Sequence, residues 1–152
     1  MMEISIGCDP NAVEMKNHLL DVCRKKGYEV VDMGSDDPIY ANTAFLVAEY
    51  VAHRPQARGI LVCGTGMGMC IAANKVHGAY AALLTDAYSA ERAQKSNAVN
   101  IACLGAFTLG VKNAEALVEI WLKAEFDPNS PSGKKVKRIA EYEESHRITA
   151  FP

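Results

Sequence analysis

The sequence predicts an α/β fold in which a parallel β-sheet is covered by helices on both faces. Short apolar segments typical of buried strands alternate with amphipathic segments of helical length. Neighbouring parallel strands need right-handed crossover connections, and helices of this length supply them. No internal repeat and no long linker divides the 152 residues, so we expect one domain over residues 1–152.

The first half of the chain contains two strand–helix pairs. After the first strand, Asp9 or Asn11 can cap the next helix, and Pro10 suits its first turn. Gly27 ends that helix, because glycine readily adopts the left-handed conformation common at helix C-termini. Breaker residues at 34–38 separate the second strand from its helix. In order, the predicted elements are strand 3–8, helix 12–26, strand 28–33 and helix 41–53.

The second half contains three more strands and ends in a basic helix. Thr85 or Asp86 opens the helix after the fourth strand, and Gly105 stops the fifth strand. A breaker segment at 127–133 precedes the last helix. In order, the predicted elements are strand 59–62, a short helix that ends before Gly78, strand 79–84, helix 86–96, strand 99–104, helix 112–125 and helix 134–146.

The stretch from 59 to 75 is the most informative part of the chain. Cys63 ends a buried strand and is followed by Gly64, Gly66 and Gly68. The three glycines let the backbone approach a ligand and adopt positive φ angles. The N–H groups of this loop and of the next helix N-terminus form a site for an anion, and the helix dipole favours the thiolate form of Cys63. A base and an anion site are therefore adjacent in the sequence.

Other interpretations of this loop fit the sequence less well. The G-x-G-x-G spacing differs from the G-x-G-x-x-G of dinucleotide sites and lacks the G-K-[ST] ending of nucleotide-phosphate loops. A cysteine phosphatase loop would need an arginine near Met69, and thiol redox chemistry would need Cys70, which we expect to face the core. The structural alternatives are a small buried side chain for Cys63, a helix cap for Asp9 and a solvated face for the basic helix.

Composition excludes several classes of function. A net charge of −2 and 49% hydrophobic residues give no indication of a nucleic-acid or membrane surface, and no apolar run is long enough to cross a membrane. The five cysteines are odd in number and include no C-x-x-C pair, which favours reduced thiols in the cytoplasm. The four histidines show no metal-ligand spacing, so we expect neither a metal nor another cofactor.

Ligands of parallel α/β sheets bind beyond the carboxyl ends of the strands. At that edge we expect to find Asp9, Cys63 with its glycine loop, Asp86, and Asn97 or Asn100. The convergence of these residues is a prediction from topology.

Four segments carry the most specific patterns: Ile-Gly-Cys-Asp at 6–9, Gly-Ile-Leu-Val-Cys-Gly-Thr-Gly-Met-Gly-Met at 59–69 with Ile-Ala-Ala-Asn-Lys at 71–75, Thr-Asp-Ala-Tyr-Ser-Ala at 85–90, and Asn-Ile-Ala-Cys-Leu-Gly at 100–105. In this order they resemble the type B ribose-5-phosphate isomerases and the related galactose-6-phosphate isomerase subunits. The resemblance covers nearly the whole chain, and the Cys-Gly-Thr-Gly-x-Gly loop is its most specific part.

The resemblance implies a Rossmann-like three-layer α/β/α fold with a five-stranded parallel sheet. It also implies a homodimer with active sites at the subunit interface, and the basic helix at 134–146 would pack on the partner subunit. The implied reaction is a metal-free aldose–ketose isomerisation of a sugar phosphate through an enediolate. Cys63 would be the base that moves a proton between C1 and C2, and the N–H groups of Gly64–Gly68, aided by Thr65, would hold the enediolate oxygen.

The same resemblance implies a set of substrate-binding residues. Asp9 and Asn97 would bind sugar hydroxyls, and Tyr40 matches a tyrosine that the family places before a proline, although Ala41 follows it here. The basic helix is the candidate for binding the phosphate. The expected substrate contacts are Asp9, Asn11, Tyr40, Gly64, Gly66, Met67, Gly68, Asn97, Lys135 and Arg138.

The sequence departs from the ribose-5-phosphate isomerase pattern at several binding positions. Pro10 and Ser96 stand where the family has histidines, the second of which opens the sugar ring, and Phe107 stands in place of an arginine. The segment Ser-Gly-Lys-Lys-Val-Lys-Arg at 132–138 replaces the phosphate-gripping Gly-Arg-His-x-x-Arg and is closer to the galactose-6-phosphate type. The proton-transfer residues are kept, while the ring-opening and phosphate-binding residues are changed.

These departures predict an isomerase of a small sugar phosphate other than ribose 5-phosphate. A tetrulose phosphate cannot close a ring through its phosphorylated oxygen, so it needs no ring-opening histidine. Three alternatives stay open. The chain could be an ordinary ribose-5-phosphate isomerase with substitute groups, a partner-requiring subunit of a hexose-phosphate isomerase, or a non-catalytic sugar-phosphate-binding protein.

Overall fold

The computed structural model describes residues 2–146 and contains one five-stranded parallel sheet, as the sequence predicts. The strands are β1 (Glu3–Cys8), β2 (Glu29–Asp32), β3 (Arg58–Cys63), β4 (Ala81–Leu83) and β5 (Ile101–Gly105). Their order across the sheet is β2-β1-β3-β5-β4, and every neighbouring pair is parallel. β3 is therefore central, and its last residue lies in the middle of the carboxyl edge.

Six α-helices connect and cover the strands. They are α1 (Val13–Lys25), α2 (Tyr40–Ala52), α3 (Met67–Ala73), α4 (Ala87–Asn97), α5 (Val111–Lys123) and α6 (Gly133–Ser145), and a 3-10 turn at Pro10–Ala12 precedes α1. Within residues 2–146, none of them combines the length and apolar character needed to span a bilayer.

The sheet carries a separate apolar core on each face, which confirms the three-layer α/β/α architecture. On one face the core includes Ile60 and Trp121 and lies against α1, α4 and α5. On the other face the core includes Leu61, Cys63 and Met69 and lies against α2 and α3. The alternation of side chains along β3 decides this division, and it turns Cys63 toward α2 and α3.

The fourth strand is shorter than the sequence predicts. The expectation was 79–84, whereas β4 contains only Ala81–Leu83. The segment before it bonds to an asparagine instead of a strand: the Asn100 side chain accepts from the Tyr80 N–H at 2.7 Å and donates to the Gly78 carbonyl at 2.9 Å. These bonds pair the Tyr80 N–H and the Gly78 carbonyl, so these two groups need no partner strand at the edge of the sheet.

Helix α6 lies on the surface of the fold, and Gly133 is the one buried residue among its thirteen. The end of α6 is tied to the segment before β4. The Glu143 carboxylate accepts from Tyr80 Oη at 2.8 Å and from the Gly78 N–H at 3.2 Å, and His77 Nε2 lies 2.9 Å from Glu144 Oε2. Burial, together with the hydrogen bond to Glu143, raises the pKa of Tyr80 to about 12.

Candidate active site

The candidate site begins where the neighbouring strands β1 and β3 end. Asp9 directly follows β1, and its N–H donates to the Val62 carbonyl at 3.3 Å, so the residues that end the two strands are held side by side. The Asp9 side chain is 5% exposed and caps the 3-10 turn, accepting from the Asn11 N–H at 3.0 Å and from Asn11 Nδ2 at 3.3 Å. Asp9 therefore caps the 3-10 turn and also lines the carboxyl edge of the sheet.

An ion pair between buried Lys16 and exposed Asp32 fixes the end of the neighbouring strand β2. Lys16, which is 3% exposed, donates to both carboxylate oxygens of Asp32 at 2.9 and 2.7 Å. Asp32 also accepts from the Gly34 N–H at 2.9 Å, and the Gly34 carbonyl accepts from the Cys8 N–H at 3.1 Å. Partial burial opposes ionisation of Asp32, but the bonds from Lys16 and Gly34 outweigh it and lower its pKa. This chain of bonds holds the residue before Asp9.

The thiol of Cys63 accepts a hydrogen bond from the glycine loop. Cys63 is 4% exposed, and the Gly66 N–H lies 3.1 Å from its sulfur. Gly66 has φ +76°, a left-handed conformation that only glycine adopts without strain. An N–H donor aimed at sulfur stabilises negative charge on it. The loop therefore folds back onto the group predicted to act as a base.

Several N–H groups of the same loop remain available to a ligand. Among residues 2–146, the N–H groups of Gly64, Thr65 and Gly68 donate to no protein acceptor. The Thr65 hydroxyl is exposed and accepts from the Met67 N–H at 3.4 Å. The helix that follows, α3, has only seven residues, so its dipole is small and the loop N–H groups are the main donors to a ligand. Unpaired donors beside a thiol are the arrangement that stabilises an oxyanion.

The end of β5 holds the loop in place. Gly105 pairs with Cys63, and the next two N–H groups, of Ala106 and Phe107, donate to the carbonyls of Cys63 and Gly64, both at 2.8 Å. A Cβ at Gly105 would lie 2.8 Å from the backbone carbonyl carbon and oxygen of Thr65. The close approach of loop and strand therefore depends on glycine at position 105.

Two aromatic side chains lie over the two ends of the loop. A Cβ built on Gly64 would lie 2.9 Å from two ring carbons of Phe107, and one built on Gly68 would lie 2.7 Å from Tyr40 Oη. The Phe107 side chain is 71% exposed and Tyr40 is 43% exposed. Tyr40 was predicted as a substrate contact, and the structure brings it to the loop. The sequence indicates Phe107 only as a departure from the family pattern, because its distance from residue 64 along the chain hides the contact.

Two further thiols lie behind the base on the same face of the sheet. Cys103 is two residues before Gly105 and is fully buried, whereas Cys70 on α3 is half-buried and packs against the same core. A hydrogen bond between them, followed by burial, raises the pKa of Cys103, and the same bond lowers the pKa of Cys70 to about 7. The two pKa shifts have opposite signs, so Cys103 is the less readily ionised of the two thiols.

Asn97 does not reach this edge within its own chain. Asp86 caps α4 at the carboxyl end of β4, accepting from the Ser89 N–H at 2.8 Å, and this bond lowers its pKa. Asn97 is the last residue of α4, and eleven residues of helix place it about 16 Å away along the helix axis. Asn100 was expected at the carboxyl edge as the alternative to Asn97, and this expectation is wrong, because Asn100 precedes β5 and lies at the opposite edge.

The two predicted phosphate ligands also lie away from the glycine loop of their own chain. Lys135 and Arg138 are exposed on α6, which contacts α4 and the segment before β4. Arg138 lies over the Tyr142 ring, 5.9 Å from its centroid. The residues predicted as substrate ligands thus fall into two groups. Asp9, Asn11, Tyr40 and the loop lie at one edge, and Asn97, Lys135 and Arg138 lie elsewhere.

Comparison with known proteins agrees with this geometry. A family model described as ribose/galactose isomerase matches residues 4–139. The chain belongs to the ribose/galactose isomerase family. It is 42% identical over 151 residues to a D-erythrulose-4-phosphate isomerase of Pectobacterium atrosepticum, covering 97% of this chain and 99% of the relative.

Other members of the ribose/galactose isomerase family are nearly as similar. A ribose-5-phosphate isomerase B of Listeria innocua is 41% identical over 149 residues, covering 96% of this chain and all of the relative. The structure of ribose-5-phosphate isomerase B from Mycoplasma genitalium with bound ribulose-5-phosphate superposes with a TM-score of 0.89 at 32% identity, over 94% of this chain and 97% of that one. The predicted family is therefore confirmed, and its members named here are sugar-phosphate isomerases.

Proposed function

We propose that this chain catalyses the aldose–ketose isomerisation of a four-carbon sugar phosphate, with Cys63 as the base. The observation that carries the proposal is the contact of the Gly66 N–H with Cys63 Sγ at 3.1 Å, beside the unpaired N–H groups of the same loop. A base and an oxyanion site within one loop match the requirements of an enediolate intermediate, which is an anion formed next to the base.

The proton transfers follow from this arrangement. The Cys63 thiolate removes a proton from C1 of the ketose, and the electron pair of that C–H bond forms the C1–C2 double bond while O2 becomes negative. The resulting thiol returns the proton to C2, and the proton on the C1 hydroxyl moves to O2 as the C1 carbonyl forms. The N–H groups of Gly64, Thr65 and Gly68 and the Thr65 hydroxyl stabilise the negative oxygen in between.

A four-carbon substrate is supported by the chain's own residues and by one relative. Ser96 precedes Asn97 and supplies no imidazole for ring opening. A four-carbon ketose phosphorylated at O4 has no free hydroxyl that closes a five-membered ring, so it needs no such group. The relative from Pectobacterium atrosepticum, 42% identical, is named for D-erythrulose 4-phosphate. Asp9, Asn11, Tyr40 and Met67 would contact the carbon chain and its hydroxyls.

The complete site is proposed to form in a homodimer. Asn97, Lys135 and Arg138 are exposed and distant from the glycine loop of their own chain, which is expected if they act at the loop of a second copy. The adjacent helices α2 and α3 expose apolar side chains suited to such a contact: Leu46 at 52%, Met67 at 54% and Ile71 at 63%. Helix α6 would reach across to the partner. The cytoplasm is the proposed location, supported by five free cysteines.

The test compares Cys63→Ala with wild type on D-erythrulose 4-phosphate, D-ribulose 5-phosphate and D-tagatose 6-phosphate, without added metal. We expect wild type to favour the four-carbon ketose and Cys63→Ala to lose roughly 10²–10⁴-fold in kcat, the range for removal of a general base. Cys70→Ala is the matched control, because it removes a thiol from the same face without touching the loop, and it should retain activity.

Exchange of substrate hydrogen with deuterated water adds a direct measure of proton removal. Wild type should exchange a hydrogen at C1 of the ketose, and Cys63→Ala should not. A rate in Cys63→Ala close to wild type would mean that another group is the base. Binding without turnover for all three sugars would support a non-catalytic binding protein or a subunit that needs a different partner.

A further inference from the structure

The position of the Phe107 side chain is fixed relative to the base. Gly105 pairs with Cys63, and the N–H groups of Ala106 and Phe107 donate to the carbonyls of Cys63 and Gly64, each at 2.8 Å. After Gly105 the chain turns, because the N–H groups of Thr108 and Leu109 both donate to the Gly105 carbonyl, and the first residues of this turn are held against the loop. A side chain at 107 must stand next to the residue that directly follows the base.

The Phe107 ring covers the α-carbon of Gly64 on one side and is open on the other. Two ring carbons lie 2.9 Å from where a Cβ of Gly64 would be, so the contact is close and exists only because residue 64 is glycine. The remaining surface is open, since the side chain is 71% exposed in the chain. The fold thus places an apolar wall beside Gly64, the residue that directly follows Cys63.

The two ends of the loop differ in chemistry. At Gly68 the covering side chain is Tyr40, whose hydroxyl has no hydrogen-bond partner among residues 2–146 and can bond a sugar hydroxyl. At Gly64 the covering ring offers neither a donor nor an acceptor. A hydroxyl pressed against Phe107 loses its water and gains no partner, which is unfavourable. Sugar carbons that carry hydroxyls are therefore disfavoured on the Gly64 side.

We propose that Phe107 is a specificity-determining residue that selects four-carbon over five-carbon sugar phosphates by closing the Gly64 end of the loop. This inference rests on the proposed isomerase function and adds to it the residue that limits substrate length. A four-carbon substrate ends before the ring, whereas each additional hydroxymethylene group is placed against it.

The test measures kcat/KM of wild type, Phe107→Ala and Phe107→Asn for D-erythrulose 4-phosphate and D-ribulose 5-phosphate. Removing the wall should raise the five-carbon to four-carbon ratio by about 10-fold or more, within the roughly 10–200-fold range for one extra group in a pocket. The asparagine variant, which adds hydrogen-bonding groups, should raise the ratio further. Phe126→Ala removes a phenylalanine that lines a cavity against α6 and should leave the ratio unchanged.

Binding measurements separate this inference from the proposed function. Calorimetry with 3-phospho-D-glycerate and 4-phospho-D-erythronate, whose carboxylates take the place of C1, C2 and O2 in the four- and five-carbon enediolates, gives the same ratio without turnover. If wild type turns over neither sugar, the proposed function fails. A shift of at least about 10-fold in the Kd ratio of Phe107→Ala would still support the role of Phe107 in limiting substrate length. An unchanged ratio of both kcat/KM and Kd in folded Phe107→Ala would overturn it.

Discussion

Gly105 is the residue on which the close approach of the glycine loop to β5 depends. A Cβ at this position would lie 2.8 Å from the backbone carbonyl of Thr65, and backbone atoms cannot turn away as a flexible side chain can. We expect Gly105→Ala to displace the loop, lower the free energy of unfolding by about 1–3 kcal/mol, as overpacking does, and reduce kcat at least about 10-fold by moving the oxyanion donors.

Gly110→Ala is the matched control for this prediction. A Cβ at Gly110 meets nothing within 4 Å, and its φ of −72° is open to alanine. Gly110→Ala should lower the free energy of unfolding by less than about 1 kcal/mol, the scale of a helix N-cap effect, and leave kcat unaltered. Urea unfolding and steady-state kinetics measure both variants, and equal behaviour of the two would refute the packing argument.

Single residues were predictable from the sequence where local chemistry decides their role. The Cys63–Gly68 pattern predicts a positive-φ glycine, and Gly66 has one. The Asp9 cap follows from Asp-Pro-Asn in the same way. The contact of Phe107 with Gly64 could not be predicted, because it joins residues 43 positions apart through the register of two strands. No periodicity in the sequence reports that register.

At the scale of elements, Arg58 ties the start of the central strand to the end of α5. Its guanidinium donates to the carbonyls of Trp121 at 2.8 Å, Leu122 at 3.2 Å and Ala124 at 3.1 Å, and it lies 5.2 Å from the centroid of the Trp121 ring. The Trp121 carbonyl also accepts from the Ala124 N–H at 3.3 Å, whereas the carbonyls of Leu122 and Ala124 at the end of α5 lack such a backbone donor among residues 2–146. Burial lowers the pKa of Arg58, but an arginine remains charged.

Arg58→Met should lower the free energy of unfolding by about 2–4 kcal/mol, because it leaves the carbonyls of the buried residues Leu122 and Ala124 without a donor. Arg58→Lys should have a free energy of unfolding between those of wild type and Arg58→Met, because one ammonium group cannot make all the hydrogen bonds of the guanidinium. Arg54→Met is the control, because the Arg54 side chain is half exposed and, within the described residues 2–146, interacts only with Tyr50 and Glu3. Urea unfolding measures the three variants, and a loss in Arg58→Met no larger than in Arg54→Met would contradict the capping role.

The order and type of the elements were predictable because strands and helices differ in apolar period and are separated by glycine and proline. Two predictions failed where an asparagine decides the local structure. Asn100 was placed inside the fifth strand and assigned to the carboxyl edge, yet it bonds to the backbone of the segment before β4 at the other edge. The same bonds shorten β4. An asparagine side chain competes with a strand ladder for backbone groups, and the sequence alone does not show which prevails.

At the scale of the whole molecule, the predicted ligands divide between two places on one chain. The loop and Asp9 follow the strand ends, so their convergence could be deduced from parallel topology. Parallel topology does not predict a place near the loop for Asn97, Lys135 and Arg138, because their position relative to the loop depends on how two chains would pack. Resemblance to a family suggested them as ligands, and the fold of one chain places them away from its own loop.

The composite site can be tested by mixing two defective subunits. If Asn97 acts at the loop of a partner, a mixed dimer of Cys63→Ala and Asn97→Ala has one site with both changes and one intact site. Random exchange between equal amounts makes half of the dimers mixed, so activity should recover to about a quarter of the wild-type value. Subunits are exchanged by refolding from urea, and mass measurements establish the dimer.

The control pair is Cys63→Ala with Thr65→Ala. Both residues belong to the same loop, so every site in a mixed dimer carries one of the two changes and no activity should return. Recovery in the first mixture but not in the second requires that Asn97 and Cys63 of one site come from different subunits, because only that arrangement creates an intact site. Activity equal to the mean of the separate variants in both mixtures would contradict a site in which Asn97 and Cys63 come from different subunits.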